Sequence, residues 1–96
     1  MEYVYIRQEG DPATLKKYVQ EMHDSGNEDL IAAYNRQAEI GITGVHSQAL
    51  YIMSLGHVFL KRFGISPVTM ENNILEMKGL IKATKNSFEF IGQKDK

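Results

Sequence analysis

Glycine residues divide the first two thirds of the chain into three stretches of helical length, and this division constrains the fold more than any other feature. The breaks are Gly10, Gly26, the pair Gly41 and Gly44, and Gly64. Between them, apolar residues recur every three or four positions, which is the period of a helix with one buried face. The sequence therefore predicts three helices, over about residues 12–23, 28–42 and 45–63.

The third of these helices is apolar on more than one side. One stripe includes Ala49, Ile52 and Phe59, but further apolar side chains lie on other sectors of the helix. A helix with this distribution either lies at the centre of its own domain or also packs against a partner. We therefore expect a second, exposed apolar sector that serves as an interface, formed by Leu50, Tyr51, Leu55 and Val58.

The segment 66–86 fits two different structures. A fourth helix over residues 67–85 would have a narrow apolar stripe, but Asn72, Asn73 and Gly79 are unfavourable inside a helix. An antiparallel hairpin is the favoured alternative, because asparagine tolerates the positive φ angles of a two-residue turn.

Two consecutive hairpins would also place matched side chains opposite each other. Apolar residues then face apolar residues, and a cation faces an anion, as cross-strand pairs require. The predicted pairs are Met70 with Leu75, Val68 with Met77, Ile81 with Phe90, and Lys82 with Glu89.

The aromatic and β-branched segment 3–7 predicts one more strand, which can pair with the last strand of the chain. The resulting fold class is α+β, with the three helices packed on a small antiparallel sheet. Its strands are predicted over residues 3–7 and about 68–71, 74–83 and 88–91. The alternative is a mostly α-helical fold in which residues 67–85 form the fourth helix.

Composition excludes several kinds of chemistry. The 96 residues include no cysteine, which removes disulfides, thiolate metal sites and thiol catalysis. This length suits a single domain over residues 1–96. The first residues lack the cationic start and apolar run of a secretion signal, and no stretch is apolar enough to span a membrane, so we expect a cytoplasmic protein.

Charge is unevenly distributed along the chain. Residues 1–60 carry four Lys or Arg against eight Asp or Glu, whereas residues 61–96 carry seven against four. A nucleic-acid-binding domain usually concentrates more positive charge than this on one face. Nucleic-acid binding is therefore the least favoured of the three functions that we consider.

Neither the histidine spacing nor any nucleophile motif indicates an active site. His46 and His57 are eleven residues apart on one predicted helix, which separates them by about 16 Å, too far to share a metal ion. The Gly-x-Ser-x-Gly, P-loop and Gly-x-Gly-x-x-Gly motifs are absent. We expect no catalytic residue, no metal site and no cofactor, and the sequence favours a protein that is not an enzyme.

The turn before the third helix suggests one binding site. Free backbone N–H groups and the helix dipole at a helix N-terminus attract phosphate or carboxylate. Neighbouring polar side chains would add donors. The candidate anion-binding residues are Arg36, Thr43, Gly44, His46 and Ser47.

The favoured function from sequence is a non-enzymatic protein-interaction module that associates with itself. The basis is the apolar excess of the third helix, together with five tyrosines and five methionines, which are side chains suited to interfaces. The alternative is a small-molecule or phosphate-binding protein that uses the turn and helix N-terminus at residues 41–47. We expect the partner to be a second copy or another protein, and not a membrane.

Overall fold

Three helices and five short strands make up the computed structural model, which describes residues 3–91. The helices are α1 (Asp11–His23), α2 (Asn27–Ile40) and α3 (His46–Phe63). The strands are β1 (Tyr3–Val4), β2 (Val68–Glu71), β3 (Ile74–Met77), β4 (Ile81–Ala83) and β5 (Phe88–Phe90). The predicted α+β class is confirmed, and the fourth helix over residues 67–85 is not formed.

The helices begin and end close to the predicted glycine breaks. Pro12 lies in the first turn of α1, where its missing N–H costs no hydrogen bond. Helix α2 ends two residues earlier than predicted, because Gly41 has a φ of 84° that an α-helix does not accommodate. Ile42 therefore lies after the helix, but its side chain is still buried in the core.

Both predicted hairpins are present in the predicted register. Asn72 and Asn73 form the first turn with φ angles of 54° and 66°, which are the left-handed values that a two-residue turn of this kind requires. The cross-strand partners are Met70 and Leu75, Val68 and Met77, Ile81 and Phe90, and Lys82 and Glu89.

The strands form two sheets, and the prediction of one sheet is wrong. One sheet has the order β1-β3-β2, and the other consists of β4 and β5. The predicted strand over residues 74–83 is interrupted at Gly79, which has a φ of 120°, and the Gly79 carbonyl accepts a hydrogen bond of 2.8 Å from Tyr34 Oη on α2. Strand β1 pairs with β3, with Tyr3 opposite Leu75, and not with the last strand.

Helix α3 is the central element of the fold. It packs most extensively against α1 on one side and also contacts β2 and α2. The Phe59 side chain is fully buried and makes edge-on ring contacts with Tyr34 and Phe88. Helix α3 therefore joins the helical layer to both sheets.

Gly56 is the point of closest approach between α3 and β2. A Cβ atom placed on Gly56 would lie 2.9 Å from Val68 Cβ, closer than carbon atoms normally pack. Because Val68 Cβ is attached directly to the β2 backbone, the strand itself would have to move away from the helix.

We expect Gly56→Ala to lower the free energy of unfolding by about 1–2 kcal/mol, because the overpacking outweighs the gain in helix propensity. Gly26→Ala is the matched control, since nothing lies within 4 Å of a Cβ at Gly26. We expect that control to change stability by less than about 0.5 kcal/mol. Urea unfolding measures both values, and a Gly56→Ala protein as stable as the wild type would contradict the close approach.

Candidate functional site

Four side chains from three elements form a polar cluster at the start of α1 and α3. Tyr3 and Tyr5 come from β1 and the residue that follows it, Asp11 is the first residue of α1, and His46 is the first residue of α3. Alternation along an extended chain places both tyrosine rings on the same face. We call this cluster the clasp (Tyr3, Tyr5, Asp11 and His46).

The Asp11 carboxylate is the centre of the clasp. It accepts hydrogen bonds from Tyr5 Oη at 2.6 Å and from the Gln8 backbone N–H at 2.8 Å. His46 Nε2 lies 3.0 Å and 3.1 Å from the two carboxylate oxygens. An ionised carboxylate has no proton to give, so Nε2 is the donor in this contact.

His46 links the carboxylate to the second tyrosine. Its Nδ1 atom lies 3.0 Å from Tyr3 Oη. In the neutral ring with a proton on Nε2, Nδ1 accepts the Tyr3 hydroxyl proton. The Tyr5 ring also stacks on the imidazole, with ring centres 5.8 Å apart and planes 13° apart.

The clasp keeps Asp11 ionised although the residue is only 4% exposed. Burial acts to raise the pKa of the Asp11 carboxyl, but the hydrogen bonds from Tyr5, Gln8 and His46 outweigh it and lower the pKa to about 2. The same hydrogen bond to Asp11, together with burial, raises the pKa of the Tyr5 hydroxyl.

The clasp has the components of an acid–base relay, but its polar groups use their hydrogen bonds on one another. A histidine oriented by a carboxylate can polarise a hydroxyl group, here that of Tyr3. Catalysis would also need space for a substrate beside that hydroxyl. Five prominent cavities in residues 3–91 are lined by other residues. The arrangement therefore fits a structural role, in which it holds β1 against α1 and α3.

Sequence reasoning identified His46 but missed its partners. Asp11 was not among the predicted site residues, and Tyr3 and Tyr5 were expected within a strand and not as part of a site. The alternation of Tyr3 and Tyr5 was the available signal, because it places two hydroxyl groups on one face of a strand.

The predicted anion site at residues 41–47 is only partly assembled. Both ring nitrogens of His46 face Asp11 and Tyr3, so they do not point to an anion at the start of α3. The Thr43 hydroxyl and backbone N–H both donate to Gln48 Oε1, at 2.8 Å and 2.9 Å. Gly44 lies in the exposed turn with a φ of 93°.

Arg36 and Ser47 line two neighbouring cavities rather than one shared site. Arg36 lines one cavity with Asp29, and Ser47 lines another with Gln48. The two cavities share Gln37 and Tyr51. Asp29 places a carboxylate beside Arg36, which weakens the case for an anion there.

The expectation of an exposed apolar sector on α3 is wrong, because a single chain covers it. Leu50, Leu55 and Val58 are buried. Helix α1 lies over this side of α3, where the Tyr18 ring packs edge-on against Tyr51 with ring centres 5.5 Å apart. Only Tyr51 is partly exposed, so these four residues are core residues rather than a free surface.

At two sheet edges, a side chain occupies the outward backbone groups of one strand residue. At the β2 edge, Ser66 Oγ accepts a hydrogen bond from Val68 N–H and donates one to Val68 C=O, both at 3.0 Å. At the β4 edge, the Asn35 side-chain amide donates to Ile81 C=O at 2.7 Å and accepts from Ile81 N–H at 2.9 Å. Both side chains take the positions that a further strand would occupy.

The outer edge of β1 differs from these two edges. Strand β1 ends its sheet, and two large apolar side chains, one in the strand and one just after it, face solvent. Val4 is 61% exposed and Ile6 is 72% exposed. Strand β5 also ends a sheet, with Phe90 and the following Ile91 exposed, but its Glu89 carries a charge and lies 3.6 Å from Lys82. Charge on an edge strand discourages pairing with another chain, whereas exposed β-branched residues favour it.

Comparisons with known proteins found no matching family model, no matching curated protein and no matching solved structure. Among residues 3–91, no helix is both long and apolar enough to cross a membrane. The same residues contain no group of three or more His, Cys, Asp or Glu side chains placed to hold a metal ion.

The low pKa of Asp11 predicts a pH-dependent stability. Because the pKa in the folded protein, about 2, lies below the ordinary value of 3.8, Asp11 stabilises the fold above about pH 4. That contribution is lost as the pH falls towards 2. We therefore expect Asp11→Asn to be less stable than the wild type at about pH 7, with a difference that shrinks as the pH falls from about 4 to about 3.

Urea unfolding midpoints over this pH range measure the effect. Asp29→Asn, at an exposed position in the first turn of α2, is the matched control and should show no such convergence. A constant difference between wild type and Asp11→Asn across the range would contradict the proposed state of the carboxylate.

Proposed function

We propose that this chain is a non-enzymatic interaction module that forms a homodimer through the outer edge of β1. The observation that carries the proposal is the contrast between sheet edges. Ser66 and Asn35 bond the outward backbone groups of Val68 on β2 and Ile81 on β4, while Val4 and Ile6 are exposed at an edge where no such side-chain bond is present among residues 3–91.

The backbone geometry of β1 supports pairing with a further strand. Tyr5 N–H donates to Asn73 C=O at 2.6 Å, so the backbone groups of the odd-numbered residues point towards β3. Successive residues of a strand alternate in this respect. The N–H and C=O groups of Val4 and Ile6 therefore point away from the sheet and are available to a second chain.

A second copy supplies a strand of complementary sequence. In an antiparallel pair related by a two-fold axis at Tyr5, Val4 of one copy lies opposite Ile6 of the other. Tyr3 and Tyr5 stay on the clasp side of the strand, and Arg7 falls opposite Tyr3. This register places no like charges opposite each other.

Apolar contact adds to the backbone hydrogen bonds of such a dimer. Two copies of Val4 and Ile6 contribute four side chains, each covered in part by its cross-strand neighbour, and complete burial of one such side chain is worth about 1.5–3 kcal/mol. Association costs several kcal/mol in lost rotational and translational freedom. We therefore infer a dissociation constant in the micromolar range, with the outer-face residue Ile74, opposite Val4, adding contact area.

Charge placed on the edge tests the proposal. We expect the wild type to sediment as a dimer at about 100 μM, and Val4→Lys or Ile6→Lys to raise the dissociation constant at least about tenfold, because a lysine on an edge strand opposes pairing. Ile65→Lys is the matched control, since Ile65 is 52% exposed but lies between α3 and β2.

Circular dichroism checks that each variant is folded, and sedimentation velocity measures association. A wild-type protein that remains monomeric up to about 1 mM would overturn the proposal. It would also fail if Ile65→Lys disrupted the dimer while Val4→Lys and Ile6→Lys left it intact.

A further inference from the structure

A second candidate site lies near the C-terminal ends of α1 and α3, away from the clasp. A cavity of about 250 Å³ opens between the second half of α1 and the second half of α3. Every polar side chain that lines it is basic, and no carboxylate is among them. The lining residues are Val19, His23, His57, Val58, Lys61 and Arg62.

Arg62 is held in position by neutral acceptors. Its guanidinium donates to Ser25 C=O at 2.9 Å, to Asn27 Oδ1 at 3.1 Å and to His23 C=O at 3.2 Å. None of these acceptors carries a formal charge, so the hydrogen bonds orient the guanidinium without neutralising it.

Lys61 also lacks an ion-pair partner within residues 3–91. In that part of the chain, the ion pair that involves a lysine joins Lys82 to Glu89. The C-terminal ends of α1 and α3 supply partial negative charge, equivalent to about half an elementary charge each. His23 and His57 add hydrogen-bond donors to the cavity. Lys61 and Arg62 add two full positive charges, which exceed the partial negative charge of the helix ends, so the cavity keeps a positive potential.

The floor of the cavity is apolar. Val58 is buried, and Val19 is half-buried. A simple inorganic anion would leave this floor uncovered, whereas a ligand with a small apolar body would cover it.

We propose that this cavity binds a small organic anion with a compact apolar body and one anionic group, a carboxylate or a phosphate ester. The anionic group contacts Lys61, Arg62 and the imidazoles, and the apolar body lies against Val19 and Val58. His57 is about 16 Å along α3 from His46, so this site is separate from the clasp and from the β1 edge.

Titration with simple probes, followed by amide NMR, tests the site at constant ionic strength. Benzoate and phenyl phosphate are the two anionic probes, benzamide is the neutral analogue, and inorganic phosphate lacks the apolar body. We expect saturable shifts in the amides of residues 57–62 and of Val19 with benzoate or phenyl phosphate, at least about tenfold tighter than with benzamide or inorganic phosphate.

Charge removal supplies the matched variants. We expect Lys61→Gln combined with His57→Gln to weaken binding of the anionic probe at least about tenfold. Lys85→Gln, which removes the same lysine charge from the exposed turn between β4 and β5, should leave it unchanged. Arg62 is left intact because it also joins α3 to the α1–α2 connection.

Three results would overturn the proposal. The first is the absence of saturable shifts with both anionic probes up to about 20 mM, a concentration that detects even weak sites. The second is binding of benzamide or inorganic phosphate as tight as that of the anionic probes. The third is equal binding by the wild type and the Lys61→Gln, His57→Gln double variant.

Discussion

The contact between Asp11 and His46 is the constraint on which the arrangement of the N-terminal strand depends. A buried carboxylate without partners is strongly destabilising, so the folded state requires the donors that surround it. Those donors come from Tyr5, from the backbone at Gln8 and from His46 on α3. The hydrogen bonds to this one carboxylate therefore hold together the chain before α1, the start of α1 and the start of α3.

This constraint also decides which side chains of the N-terminal strand face solvent. With Tyr3 and Tyr5 turned towards Asp11 and His46, alternation turns the neighbouring side chains of Val4 and Ile6 outwards. A short terminal strand would otherwise have little to hold it, since β1 pairs with β3 through few residues. The clasp thus connects a buried polar network to an exposed apolar edge, and the proposed dimer depends on both.

Local features of the fold were predictable from sequence, and long-range ones were not. The helix limits follow from glycines and caps, and the Asn72–Asn73 turn sets the register of its hairpin, because these signals act within a few residues. At the break, the Gly79 carbonyl accepts a hydrogen bond from Tyr34, 45 residues away. Likewise, His46 and Asp11 are 35 residues apart in the sequence. The predicted apolar sector of α3, which includes Leu55, is buried because α1 packs on α3.

Amide hydrogen exchange in a variant without the imidazole tests whether the clasp holds β1 in the sheet. The Tyr5 amide, bonded to Asn73 C=O, reports on β1, and the Lys78 amide, bonded to Pro67 C=O, reports on the β2–β3 hairpin. In His46→Ala, we expect Tyr5 exchange to accelerate at least about tenfold while Lys78 exchange stays close to the wild-type rate. If Tyr5 keeps its protection, or if both amides accelerate equally, then the clasp is not what holds β1 in the sheet.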